Sequence, residues 1–304
     1  MLKYIQKLSI TLLFLLFTAN SSANADIKVV TSIKPIHSLA SYLMDGVGKP
    51  DLIVDGYASP HGFAMKPSHA KMLQNADLIF WVGEDLESFL EKPLNSIAKK
   101  AEKIELMEIK ALNKLEFRER NIFDDHKEHD DHKGHAHGQY DPHIWLDPMN
   151  AKVILNEMVE HLIENDAKNA SKYKSNLKKA LKDIDKLNAD VKAELSKSTG
   201  SIVFHDAYQY FEERYDVNIL GAFTVNTDVM PGAEQLAEIR EIIEHDKVTC
   251  VFSEPQFNPD IIKAVAKDMN IKTGVIDPLG ATLNPGKNLY FDLIRNMSAS
   301  FKGC

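Results

Sequence analysis

Apolar residues in this chain fall into two alternating textures. Short runs rich in Val and Ile have strand length: 27–33, 51–54, 78–82 and 104–107 in the first half, then 202–204, 217–223, 248–252 and 272–276. They lack strict polar alternation, which predicts strands covered on both faces, as in parallel sheets. Between them lie segments with apolar positions three and four apart. After Gly232, one such stripe is Leu236, Ile239, Ile242 and Ile243. After the cap and first-turn proline of Asn258-Pro259, another is Ile261, Ile262, Val265 and Ala266. Strands alternating with helices predict right-handed βαβ units.

The middle of the chain has a longer period. Tyr173, Leu177, Leu181, Ile184, Leu187, Val191 and Leu195 recur at spacings of three and four among lysines and acids. This predicts one helix of about 25 residues, about 38 Å long at 1.5 Å per residue, enough to tie two domains together stiffly. The heptads stop too soon for a coiled-coil dimer, so a monomer is expected. The expected architecture is α/β: two lobes, each with a mostly parallel four-stranded sheet flanked by helices, joined by a long rigid linking helix. The boundaries expected are 26–165 for the N-terminal lobe, 166–198 for the linking helix and 199–304 for the C-terminal lobe.

Two segments stand outside this pattern. Residues 124–138 carry His126, His129, His132, His135 and His137 among aspartates, lysines and glycines. Without apolar periodicity they bury too little surface to order themselves, and they read as a loop inserted in the first lobe. Residues 1–25 read as a secretory leader. Lys3 and Lys7 precede the apolar stretch 8–19, and Ala23-Asn24-Ala25 is a small-residue cleavage box with no cysteine to take a lipid. That predicts a periplasmic chain beginning at Asp26, with the formal charge moving from -8 to -10 as two lysines are lost. An acidic chain without a basic patch is a poor partner for nucleic acid or anionic lipid. Cys250 and Cys304 are the only cysteines. In an oxidising compartment a bond between them is expected, two buried free thiols being the alternative.

The chemistry is expected where strands end, because open α/β sheets bind ligands outside the carboxyl ends of their strands. His61 lies beyond the second predicted strand, His205 directly follows the fifth, Asp277 ends the eighth, and His143 precedes the helical middle. Three imidazoles and a carboxylate suit Zn²⁺, although imidazole also suits copper and nickel. His37 follows the first strand and is also near the expected cleft. His69, His161 and His245 sit in helical patterns and read as solvated, while Glu254, at a strand end, reads as an acceptor orienting an imidazole. A zinc hydrolase is the rival reading, but no His-Glu-x-x-His helix is present.

Several segments carry a family resemblance: Ser59-Pro60-His61, Asp141-Pro142-His143-Ile144-Trp145-Leu146, Phe204-His205-Asp206-Ala207-Tyr208-Gln209-Tyr210-Phe211 and Asp277-Pro278-Leu279-Gly280. They resemble the metal-binding segments of periplasmic zinc-binding proteins of the ZnuA type, and further stretches such as Phe223-Thr224-Val225-Asn226 extend the likeness. The resemblance implies the two-lobed cluster A-I fold and a solute-binding role, not an enzyme. It implies zinc held by His61, His143 and His205, and delivery to the inner-membrane permease of an ABC transporter. Asp277 matches the acidic position that completes the shell in some members; water does so in others. The resemblance also implies a Cys250–Cys304 disulfide and a His-rich loop that collects zinc. Manganese-importing relatives tend to have glutamate where His205 stands, so the histidine favours zinc; a manganese-binding homologue is the nearest alternative.

Overall fold

The computed structural model describes residues 26–118, 122, 138–195, 200–225, 227, 231–246 and 248–304. The proposed leader and the five loop histidines lie outside the described residues. In the first half, β1 (Val29–Ile33), β2 (Asp51–Val54), β3 (Leu78–Trp81) and β4 (Glu102–Glu105) form a parallel sheet in the order β2-β1-β3-β4. Helices α1 (Lys34–Leu43), α2 (Pro67–Asn75) and α3 (Glu84–Ser96) connect them. After α4 (Pro148–Asn165) and α5 (Ala170–Glu194), β5 (Ser201–His205), α6 (Gln209–Tyr215), β6 (Ile219–Thr224), α7 (Ala233–His245), β7 (Cys250–Ser253), α8 (Asp260–Met269) and β8 (Lys272–Val275) follow. Their sheet has the order β6-β5-β7-β8, again parallel, and α9 (Leu289–Gly303) ends the chain. Each sheet reverses its winding beside its first strand, which opens a crevice at the carboxyl ends of β1 and β3 and of β5 and β7.

The central strands are apolar on both faces for a visible reason. All five residues of β1 and of β5 are buried, covered by helices on either side. The edge strand β4 is polar, Glu-Lys-Ile-Glu, so the apolar run predicted at 104–107 sits two residues late. Leu106 and Met107 instead fill a short 3-10 turn under the sheet. Strand β6 also starts later than predicted. Asp216 adopts a left-handed conformation (φ 56°) that ends α6, and Val217 belongs to that turn.

The long helix α5 has 25 residues, and Tyr173, Ile184, Leu187 and Val191 face inward. It packs on α1, α4 and α9. A second bridge was absent from the sequence reading. Helix α9 packs on α1 and α5, Tyr290 N–H donates to Ser38 Oγ at 2.9 Å, and Cys304 is disulfide-bonded to Cys250 of β7. Gly274 of β8 makes room for this closure, because a Cβ there would stand 2.6 Å from the Phe252 ring. One apolar core therefore runs through the N-terminal sheet, α5, α6 and α9 into β5 and β7, and a smaller one lies under α7 and α8.

Polar contacts seal the face between the lobes. Arg214 of α6 holds Asp147, the N-cap of α4, through two bonds of 2.7 and 2.6 Å. Tyr210 Oη donates to Asp141 O, Tyr290 Oη to Trp145 O, and Trp145 Nε1 to Pro278 O. Arg118 reaches Asp206 and Glu212.

Candidate metal centre

Three imidazoles meet at this face by different routes. His61 lies in residues 55–66, the irregular segment between β2 and α2, with its backbone N–H donated to Ser59 Oγ at 3.3 Å. His143 stands immediately before the 3-10 turn Ile144–Leu146, and His205 is the last residue of β5. Ring nitrogens of the three lie within 4.8 Å of one another. Nε2 of His143 and Nε2 of His205 are 3.4 Å apart. Two nitrogens bound at 2.0–2.1 Å to a tetrahedral ion stand about 3.3–3.4 Å apart, so this pair already has the edge length of a zinc shell.

Carboxylates decide which nitrogens face inward. Asp141 Oδ1 accepts the backbone N–H of His143 at 2.9 Å and lies 2.7 Å from its Nδ1. Glu254 Oε1, directly after β7, lies 2.7 Å from Nδ1 of His205. With both Nδ1 atoms donating, both Nε2 atoms turn lone pairs toward one point. His143 is 3% exposed and His205 5%, so little water screens that repulsion. A cation between them removes it.

The titration of the site follows from the same crowding. Burial holds His143 well below the ordinary imidazole range, and the charge of His205 adds to the effect. For His205, burial also pulls downward, but Glu254 beside it, with Asp206 and Asp141, outweighs this and raises it. Burial pushes Asp141 up to about 7 against its bond from His143 and the nearby Arg118. Asp206 is likewise pushed up to about 7 by burial, with Arg118 opposing.

The other residues marked in the sequence have different places. Asp277 is not gathered with the imidazoles. Its Oδ1 accepts from Gln256 Nε2 at 2.9 Å and from the backbone N–H groups of Leu279 and Gly280 at 3.2 and 3.0 Å, turning the chain after β8. Its neighbours Pro278 and Leu279 line the site. His37 is buried on α1 with Nε2 3.1 Å from Pro50 O. His69, predicted to be solvated, is buried. It accepts the Lys66 N–H at the start of α2 and stacks on Phe63. His161, also predicted to be solvated, is partly buried between Glu102 and Glu157; His245 is exposed. Glu254 takes the orienting position expected of it. Asp141 was passed over, although an aspartate two residues before a histidine is itself the signal for such a turn. The cavity between the rings, about 10 Å³, has the room of a single water or ion.

Residues 29–304 match the family described as the periplasmic zinc-uptake complex component A, ZnuA. The chain belongs to the ZnuA family. The high-affinity zinc uptake system protein ZnuA of Brucella abortus (strain 2308) is 41% identical over 315 residues, covering 95% of this chain and 94% of the relative. Its Yersinia pestis counterpart is 35% identical over 302 residues, covering 95% and 94%. Among solved structures, the periplasmic zinc binding protein TroA from Treponema pallidum aligns with a TM-score of 0.77 at 17% identity, over 92% of this chain and 99% of that one. That likeness shows the shared fold. Two parallel four-stranded sheets with a long helix between them are the ZnuA-type architecture expected from the sequence.

Proposed function

We propose that this chain is the periplasmic solute-binding component of a zinc ABC importer, capturing Zn²⁺ with His61, His143 and His205 and delivering it to an inner-membrane permease. One observation carries the ligand assignment: the two buried Nε2 atoms 3.4 Å apart, each fixed inward by a carboxylate on its Nδ1. Membership of a periplasmic zinc-uptake family supports the role and the compartment. Water completes the shell in this reading, because Asp277 Oδ1 is engaged by three donors and the cavity has room for one small molecule. Imidazole-rich ligation favours zinc over manganese. The sequence has no His-Glu-x-x-His helix to place a general base beside the ion, which favours carriage over hydrolysis.

Zinc enters a site whose geometry is set in advance, so capture needs only small adjustment and release needs the lobe contacts to loosen. Residues 124–138, with five histidines, act as an accessory collector in this account. A tethered weak site has an effective concentration of order mM, enough to pass ions to the cleft. The test is to delete 124–138, strip the metal, and titrate zinc against a competing chelator. One tight zinc per chain, preferred over manganese, is expected. Loss of all tight zinc would put the principal site in the loop and sink the assignment.

A further inference from the structure

His143 and His205 each have a carboxylate on Nδ1, but His61 rides on residues 55–66, which form neither strand nor helix. What that segment is tied to therefore bears on where the ring sits. Asp55, the first residue of the segment, pairs with Lys34 Nζ at 3.2 Å. Lys34 opens α1 directly after β1, and its side chain is 5% exposed. The same ammonium donates across the lobe boundary to the carbonyls of Gly280, Ala281 and Leu283 at 3.3, 2.9 and 3.0 Å. These carbonyls close the turn that begins at Asp277, where Gly280 has a left-handed φ of 68°. Pro278 and Leu279 of that turn line the site together with Ser59, Pro60 and His61.

We propose that Lys34 is a positioning residue for zinc capture, clamping the His61 segment and the 277–283 turn against each other so that the third imidazole stays in reach of the other two. An ammonium suits this task. Its three donors face the three carbonyls, and its positive charge also attracts the Asp55 carboxylate. Lys34 bonds backbone carbonyls and Asp55 rather than the imidazoles, so its effect passes through backbone. Loosening Lys34 loosens the His61 arm and speeds zinc loss, while the carboxylates on His143 and His205 stay in place. The proposal rests on the three-histidine reading above.

The test compares full-length wild type with Lys34→Met, Lys34→Arg and His143→Ala. Zinc release into excess chelator is followed by stopped flow, the Co²⁺-loaded visible spectrum is recorded, and Tm is measured. Lys34→Met is expected to release zinc about tenfold faster, in the range seen when groups supporting a metal ligand are lost. Its Co²⁺ absorption should weaken as one nitrogen leaves the tetrahedral shell, and Lys34→Arg should recover most of both. A Lys34→Met protein with lower Tm but unchanged release and Co²⁺ spectrum would be a mere packing variant and overturns the proposal. Tight zinc in His143→Ala would overturn the site reading and this proposal with it, whereas an emptied His143→Ala beside an unaffected Lys34→Met overturns only the latter. Should Lys34→Met not fold, Asp55→Asn decides, since Asp55 is 61% exposed and its loss leaves the carbonyl contacts intact. Several-fold faster release supports the clamp, and release at the wild-type rate removes it.

Discussion

Replacing Glu254 by glutamine isolates the contribution of one carboxylate to zinc affinity. Glu254 is 3% exposed, and its Oε1 lies 2.7 Å from His205 Nδ1 and 3.3 Å from His205 N. Glutamine has the same shape and one acceptor, so the fold should persist. What disappears is the charge, and with it a hydrogen bond roughly twice as strong as its neutral counterpart. If the new amide instead turns its NH₂ toward His205, the imidazole must shift its proton to Nε2, and the nitrogen aimed at the ion becomes a donor. Loss of such a support typically lowers metal affinity by about 10–100-fold, or about 1.4–2.7 kcal/mol. The assay is competition with a fluorescent chelator at pH 7.5 on metal-stripped protein, with exposed Glu241→Gln as the control. A Kd for Glu254→Gln within twofold of wild type would refute the argument that carboxylates fix the inward-facing nitrogens.

Zinc affinity should fall as pH is lowered from 7.5 to 5, because His205 is raised by Glu254 and each displaced proton costs up to about tenfold per pH unit below the imidazole's pKa; a flat titration speaks against histidine ligation. Glu87, wholly buried and pushed up to about 7 by burial, binds its proton more tightly folded than unfolded, so its cost to stability grows as pH rises from 4.5 toward 7. Glu87→Gln should therefore raise Tm more at pH 8 than at pH 5, and an equal change at both would refute this. Arg214→Ala leaves buried Asp147 without its partner and should destabilise by about 2–4 kcal/mol in urea unfolding, against near zero for a merely superficial pair. Reducing Cys250–Cys304, which closes a separation of 54 residues, should remove about 4 kcal/mol by the chain-entropy treatment, seen as a lower Tm in dithiothreitol.

The parts of this fold that show in the sequence are those where burial acts on whole segments. Strands β1, β3, β5 and β7 are Val- and Ile-rich because helices cover both faces, and α5 keeps a stripe because one side faces the core. Edge strand β4 is placed two residues late by the sequence for the opposite reason: with exposed or half-buried positions throughout, its side chains carry little apolar signal. Of the three histidines, only His205 follows from the rule of strand ends alone, since topology delivers it to the carboxyl edge of β5; His143 precedes a 3-10 turn, and what singles out its segment in the sequence is the family resemblance. Asp277 lies just past β8 by the same rule, and its Oδ1 caps the turn that follows, a role set by local backbone geometry. Lys34, Arg118 and Arg214 could not be read as lobe contacts. Their partners lie 246, 88 and 67 positions away, and a lone charged residue on a helix or loop looks like any solvated one.

The second bridge, α9, bears on the order in which the chain can fold. The face of α1 it covers lies some 250 positions upstream, with Tyr290 meeting Ser38 across 252 residues. Such a contact closes a very long loop, which slows folding even where it adds stability. A chain that stops before Leu289 therefore keeps the packing of α1 and α5 on each other and on α4 but lacks the part of their cover that α9 supplies. The apolar faces of α1 and α5 that meet α9 gain their full burial only when that helix docks.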